Sequence, residues 1–220
     1  MFVHSKDERQ RTPKLERIRK RATEQPDTVF NNLGHVLDLN LLRECYRQLD
    51  GKKAVGADKV TKREYGERLE ENLQILLKKI RQKNYKPRAA RIVEIPKEDG
   101  STRPLAISCF EDKLVQQAAS WILTDIFEPL FLPCSYGYRE GINGHQALRD
   151  LMKHSNRNPN GMTVEIDLQK YFNTIPHGQL MNGLKKKIED KGFLKLIEVL
   201  LRSPILKDGK AVLNDLGSPQ

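Results

Sequence analysis

"RIVEIPKEDGSTRPLAI" (residues 91–107) sets the fold class of this chain. Ile92, Val93 and Ile95 lead in, Asp99-Gly100 is a turn dipeptide, and Leu105, Ala106 and Ile107 lead out, which is the pattern of a β-hairpin. Helical patterns stand on both sides of it. Upstream, Thr61-x-x-Glu64 is a capping box, in which hydroxyl and carboxylate each satisfy an otherwise unpaired backbone N–H. Tyr65, Leu69, Leu73, Leu76 and Ile80 then share one helix face, and the helix stops before "NYKP" because a residue preceding proline disfavours helix. Downstream, Ser108-x-x-Glu111 predicts a second capping box. It opens a helix through Phe127, with Leu114, Val115, Ala118, Trp121 and Ile122 on one face and Pro129 as its stop. A hairpin between helices predicts an α+β domain, with helices packed around small antiparallel sheets.

Further from the hairpin the signals are shorter. Leu37, Leu41, Leu42, Cys45 and Leu49 predict a short amphipathic helix. Residues 1–30 form a basic leader, helical from Pro13 but poor in apolar residues, and read as an arm or frayed helix until something binds it. Asn143-x-x-Gln146 starts a helix to about His154. In "TVEIDLQKYFNTIPH" (residues 163–177), Val164, Ile166 and Leu168 alternate with Glu165 and Asp167, which predicts a strand. Helices are expected over about 179–189 and 193–202, and a last hairpin turns at Asp208-Gly209.

The 220 residues suffice for one large domain or two small ones. No apolar run approaches the about 20 residues that span a bilayer, and the charged start lacks the apolar segment of a secretory signal. The three cysteines are odd in number and far apart, which fits free thiols in a reducing compartment such as the bacterial cytoplasm, or an organelle, and no membrane partner. The net charge of +10 suits a polyanion, of which nucleic acid is the commonest. The charge is clustered. "KKIRQKNYKPRAAR" (residues 78–91) carries Lys78, Lys79, Arg81, Lys83, Lys86, Arg88 and Arg91 and no acid, with Tyr85 placed as a base-stacking residue would be. The leader adds eight cations between Lys6 and Arg21.

Four features bear on chemistry. A carboxylate held on a rigid strand, as Asp167 is expected to be, suits a hard divalent metal, although a lone acid on a strand is more often structural. Lys97 and Arg103 flank the hairpin turn and could meet one anion, a point charge and a bidentate fork together suiting a triphosphate; charged hairpin tips also serve solubility. "CSYGYREGINGHQAL" offers Tyr136, Tyr138 and Arg139 to a nucleic-acid backbone, or else a tyrosine-anchored loop packed on the core. Of the adjacent Tyr171 and Phe172, one can face a cleft while the other packs inward, or both can be partly buried.

In this order, "VGADKVTKREYGERLEENL", "YKPRAARIVEIPKEDGSTRPLAI", "SYGYREGINGHQAL", "EIDLQKYFNTIPH" and the terminal "GSPQ" resemble the N-terminal part of group II intron-encoded reverse transcriptases of the maturase type. The resemblance runs from about Val55 to Gln220. It implies a basic, RNA-contacting extension over 1–54, fingers over 55–160 and the start of a palm over 161–220. It implies that Asp167 is the first catalytic, metal-binding carboxylate, for two Mg²⁺ ions in such enzymes. Lys97 and Arg103 match the positions that hold the nucleotide triphosphate, and the backbone of Leu168 faces the phosphates. Tyr171 matches the aromatic under the deoxyribose, and Gln220 a polar residue near nucleotide and template. The partners implied are intron RNA, an RNA template with a DNA primer, and dNTPs, in splicing and mobility; a homodimer is a further expectation. Members commonly carry acids where Asn173 and Pro176 stand, whereas His177 is retained. Members also carry a Tyr-x-Asp-Asp turn that this sequence lacks, so the chain reads as a fragment that binds RNA but is inactive alone. The alternatives are an RNA-binding splicing cofactor without polymerase chemistry, a reverse transcriptase of the retron or diversity-generating kind, and a basic structural domain.

Overall fold

A computed structural model of the chain describes residues 11–98, 100–207 and 209–217. It is α+β. Helices α1 (Pro13–Glu24), α2 (Leu39–Gln48), α3 (Lys62–Gly66) and α4 (Leu69–Arg81) precede the hairpin β1 (Ala90–Pro96) and β2 (Thr102–Ile107). Then come α5 (Phe110–Phe127), α6 (Gly144–Arg157), α7 (Tyr171–Thr174), α8 (His177–Lys185), α9 (Lys191–Leu201), β3 (Ile205–Lys207) and β4 (Lys210–Val212).

The core is organised around α5, which buries residues on every side, among them Leu114, Val115, Ala118, Trp121, Ile122 and Ile126. Leu41 and Leu42 of α2, Leu73 and Leu76 of α4, and Phe193, Ile197 and Leu200 of α9 belong to the same cluster. The leader corrects the expectation of a loose arm. Thr12 caps α1 by accepting from the Leu15 N–H, and Leu15, Ile18 and Ala22 bury one stripe in this core, with α1 packed on α5. Three apolar residues are enough because α5 is apolar toward that side too. Arg11 and Arg19 also reach the fully buried Asp125 of α5, at 3.2 and 3.6 Å.

The capping boxes at Thr61 and Asn143 both form. The one expected at Ser108 does not: α5 starts at Phe110 without a side-chain cap, and the Ser108 hydroxyl accepts from Gln116 instead. The helix after Thr61 breaks between α3 and α4, where the Asn72 side chain donates to the Tyr65 carbonyl at 2.9 Å.

The two hairpins join in one sheet ordered β2-β1-β3-β4, and it is mixed rather than antiparallel throughout, since β1 and β3 run parallel with Ala90 beside Ile205. Local turn signals carry no information about such a distant pairing. A second correction falls on 163–168. This stretch forms no strand; among the described residues no neighbouring strand pairs with it, and a strand exists only through a partner's backbone groups. Val164 and Ile166 are 75% and 82% exposed. No helix among the described residues is long and apolar enough to cross a membrane.

Candidate active site and nucleic-acid interface

The register of the hairpin decides where its cations point. Arg103 stands opposite Ile95, and the Lys97 N–H donates to the Ser101 carbonyl at 2.7 Å, which carries the ladder two residues further. Side chains alternate along a strand, so residues 95, 97, 101 and 103 share one face. Lys97 and Arg103 are therefore diagonal neighbours on that face, within the roughly 7–8 Å reach of long side chains. Both are exposed.

Asp167 is exposed, in the stretch where the sequence predicts a rigid strand. After exposed Leu168 the chain turns through Lys170, which has a left-handed φ of 51°, and enters α7. Tyr171 and Phe172 are 50% and 37% exposed, so neither is a core residue. Their rings meet edge-on at 5.4 Å, and the Phe172 ring meets Tyr138 at 5.7 Å. The loop of 134–143 is thus brought to the segment that carries Asp167. Beyond α7, residues 216 and 217 return to the same turn: the Gly217 N–H donates to the Ile175 carbonyl at 2.9 Å, and Leu216 forms a backbone bridge with Pro176. Gln220 lies outside the described residues. Among the described residues, no group of three or more His, Cys, Asp or Glu is placed to hold a metal ion. Asp167 supplies one carboxylate, which by itself does not make the two-ion clamp of a polymerase.

The basic run is a surface with a buried anchor. Lys78, Lys79, Arg81, Lys83, Lys86, Arg88 and Arg91 are all exposed. Lys79 pairs with Glu111, Arg88 pairs with Asp58, and Arg91 donates to the Val55 carbonyl. Lys78, Arg81, Lys83 and Lys86 have no carboxylate within ion-pair distance among the described residues. Tyr85 corrects the stacking expectation: it is buried, and its hydroxyl donates to Asp112 at 2.6 Å. The Arg88 backbone N–H donates to the other oxygen of that carboxylate at 3.0 Å. Burial pushes the Asp112 carboxyl up to about 6, against the pull of those two hydrogen bonds. The same carboxylate, and burial above all, pushes the Tyr85 phenol up.

Two other expected nucleic-acid contacts are engaged within the chain. The Tyr136 hydroxyl donates to Asp150 of α6 at 2.6 Å. Arg139 pairs with Glu128 at 2.9 Å, donates to the carbonyls of Leu132 and Ser135, and lies 5.3 Å over the Phe131 ring. These contacts hold the loop together, as in the tyrosine-anchored alternative. Tyr138, at 91% exposed, is the ring this loop presents. A second basic surface is assembled from two separate helices, so no single stretch of sequence announces it. Arg11, Lys14, Arg17, Arg43 and Arg47 line an open groove between α1 and α2, with Asp38 and Glu44 among them.

The model of the reverse transcriptase (RNA-dependent DNA polymerase) family matches residues 95–213. The chain belongs to the reverse transcriptase family. It is 32% identical to the protein YkfC of Escherichia coli over 77% of this chain and 45% of that one. It is 30% identical to the group II intron-encoded protein LtrA of Lactococcus lactis subsp. cremoris over 94% of this chain and 34% of LtrA. It is 37% identical to an uncharacterized 91 kDa protein in the cob intron of Schizosaccharomyces pombe, over 62% and 16% of the two chains. The chain spans less than half the length of these relatives. Among solved structures it is similar to a chain of a partial Cas6–RT–Cas1–Cas2 complex, with a TM-score of 0.55 over 84% of this chain and 31% of that one. At 22% identity that likeness speaks for the reverse transcriptase fold alone. The resemblance to intron-encoded reverse transcriptases, read from the ordered motifs, is thereby borne out. Reverse transcriptases in general use divalent metal ions.

Proposed function

We propose that this chain is the nucleotide- and template-handling part of an RNA-directed DNA polymerase of the group II intron type. The observation that carries the proposal is the family match: it begins on the hairpin at Ile95 and runs through Lys97, Arg103, Asp167 and Tyr171. The shared face of Lys97 and Arg103 supports it, because a triphosphate needs two cations converging from one side. In this reading residues 55–160 serve as fingers, 161–220 begin the palm and 1–54 form the RNA-contacting extension. Lys97 and Arg103 bind the triphosphate and the Leu168 backbone faces it. Tyr171 lies under the deoxyribose and excludes a 2′-hydroxyl, and Gln220 borders nucleotide and template. Asp167 is one of the carboxylates that would hold Mg²⁺, the ion that stabilises charge on the attacking and leaving oxygens when bound. The surface of Lys78, Lys79, Arg81, Lys83, Lys86, Arg88 and Arg91 takes the RNA backbone, including intron RNA during splicing. Tyr136 and Arg139 act there indirectly, by shaping the loop that presents Tyr138.

The test is primer extension on an RNA template by a polypeptide that joins this chain to the remaining palm carboxylates. K97A and R103A should each raise the dNTP KM roughly 10- to 100-fold, the worth of one charge-assisted hydrogen bond. An unchanged KM would reject the triphosphate role. The competing reading, a splicing cofactor without polymerase chemistry, predicts no extension by such a polypeptide but retained binding of intron RNA.

A further inference from the structure

We infer that His177 is a positioning residue for this site, a latch that holds the segment at Gly217 against α7. Two contacts on that glycine and one on its neighbour hold the segment. Its N–H donates to the Ile175 carbonyl at 2.9 Å, its neighbour Leu216 bridges Pro176, and its own carbonyl lies 2.7 Å from His177 Nε2. A carbonyl only accepts, so His177 Nε2 is the donor of this bond. Nδ1 is buried without a hydrogen-bond partner, and the residue is 7% exposed. A histidine kept only for core volume gains nothing from one buried nitrogen left unpaired; here the other nitrogen makes a buried bond 40 residues away along the chain.

Gly217 is built for the latch. Its φ is +78°, and a Cβ there would come within 2.5 Å of the Phe172 carbonyl oxygen and 2.8 Å of Asn173 backbone atoms. Only glycine lets the chain cross so close over α7. The turn being crossed carries Tyr171 and Phe172, whose rings meet edge-on, with Phe172 also against Tyr138. The His177 ring therefore sets the spacing between the aromatic pair and Gly217. The inference rests on the polymerase reading for its meaning, because in that reading both sides of the spacing border the incoming nucleotide. The latch itself does not depend on it.

The first experiment is hydrogen exchange on the 220-residue chain. H177L should speed exchange of the Gly217 amide by at least about tenfold, as removal of a buried hydrogen bond implies, and leave α5 and α9 unchanged. H177Q, whose amide N–H can reach the same carbonyl, should restore most of the protection, whereas G217A should release the segment with the imidazole intact. Unchanged exchange at Gly217 in H177L, or equal loss of protection across α8 and α9, would overturn the latch. The second experiment is primer extension by the longer polypeptide. H177L should raise the dNTP KM several-fold with template–primer Kd unchanged, and H177Q should recover it. A fall in kcat alone would overturn the positioning role. Absence of extension by the unmutated polypeptide would instead reject the polymerase reading, with the exchange result still standing.

Discussion

Helices α5 and α6 both carry apolar residues at helical spacing, yet they have opposite fates. In α5, Leu114, Val115, Ala118 and Ile122 are fully buried, and even Asp112 and Asp125 are enclosed. In α6 no residue is buried, and Leu148, Leu151 and Met152 stand 57%, 52% and 63% exposed. The stretch that follows α6 repeats the contrast, with Met162, Val164, Ile166 and Leu168 exposed. An apolar stripe reports that a segment is built to be covered; it does not report by what. The difference divides the molecule. α1, α2, α4, α5 and α9 form a closed scaffold, while the region that carries Asp167 and Tyr171 stands open on its surface.

Four measurements can break or sharpen this division, the largest effect first. L114A or I122A should cost about 2–5 kcal/mol of stability in chemical denaturation, as large-to-small changes in packed cores do. A cost below about 1 kcal/mol would show that α5 is not the centre of a closed core. Next, Y85F removes one of two donors from a buried carboxylate and should cost about 1–3 kcal/mol. Asp112 also gives the scaffold a pH signature. Its folded value, about 6, lies above the ordinary value near 4, so the folded state holds the proton more tightly. Its contribution is therefore fully favourable below about pH 4 and is lost as pH rises through about 6. Glu111 and the Asp112 carboxylate repel each other, Arg88 opposes that, and Tyr85 is the hydrogen-bonded partner. In D112N the part of the stability change between pH 4 and 6 that belongs to this group should vanish; an unchanged profile would contradict it.

Third, K83A/K86A should flatten the dependence of log K on log salt for RNA binding by about 0.7–0.9 for each phosphate that is no longer neutralised. K195A, on a cation paired with Glu198 of α9, should leave the slope alone. Equal slopes for all three proteins would make the run a solvated face. The smallest effect is expected on α6: L148S, L151S or M152S should each change stability by no more than about 0.5 kcal/mol, since these side chains are already in water. Light scattering over a range of concentrations then asks whether a second copy covers the stripe, which a constant monomer mass would exclude.

What the sequence made legible was local. The hairpin of β1 and β2, the capping boxes at Thr61 and Asn143 and the periodic faces of α4 and α5 rest on interactions between residues a few positions apart; Asp99, of the expected turn dipeptide, lies outside the described residues. Lys97 and Arg103 were legible as a pair because their relation depends only on hairpin register. The parts that escaped depend on distant partners. Nothing near Tyr85 announces Asp112, 27 residues on, nor does His177 announce Gly217, 40 residues on. The pairing of β1 with β3 is more remote still. The strand expected at 163–168 had the right alternation, but alternation describes two faces and not a neighbour to pair with.

The central claim is that Asp167 belongs to a polymerase site rather than to an open surface. Single-nucleotide incorporation on an RNA template tests it most directly, comparing a polypeptide that carries this chain plus the remaining palm carboxylates with its D167N variant. The 220-residue chain alone should bind the template–primer without extending it. D167N should lower incorporation by a factor on the order of 10²–10³ or more, the scale of removing one charge-stabilising group, with template–primer Kd unchanged. Incorporation by D167N at the unmutated rate would contradict the account.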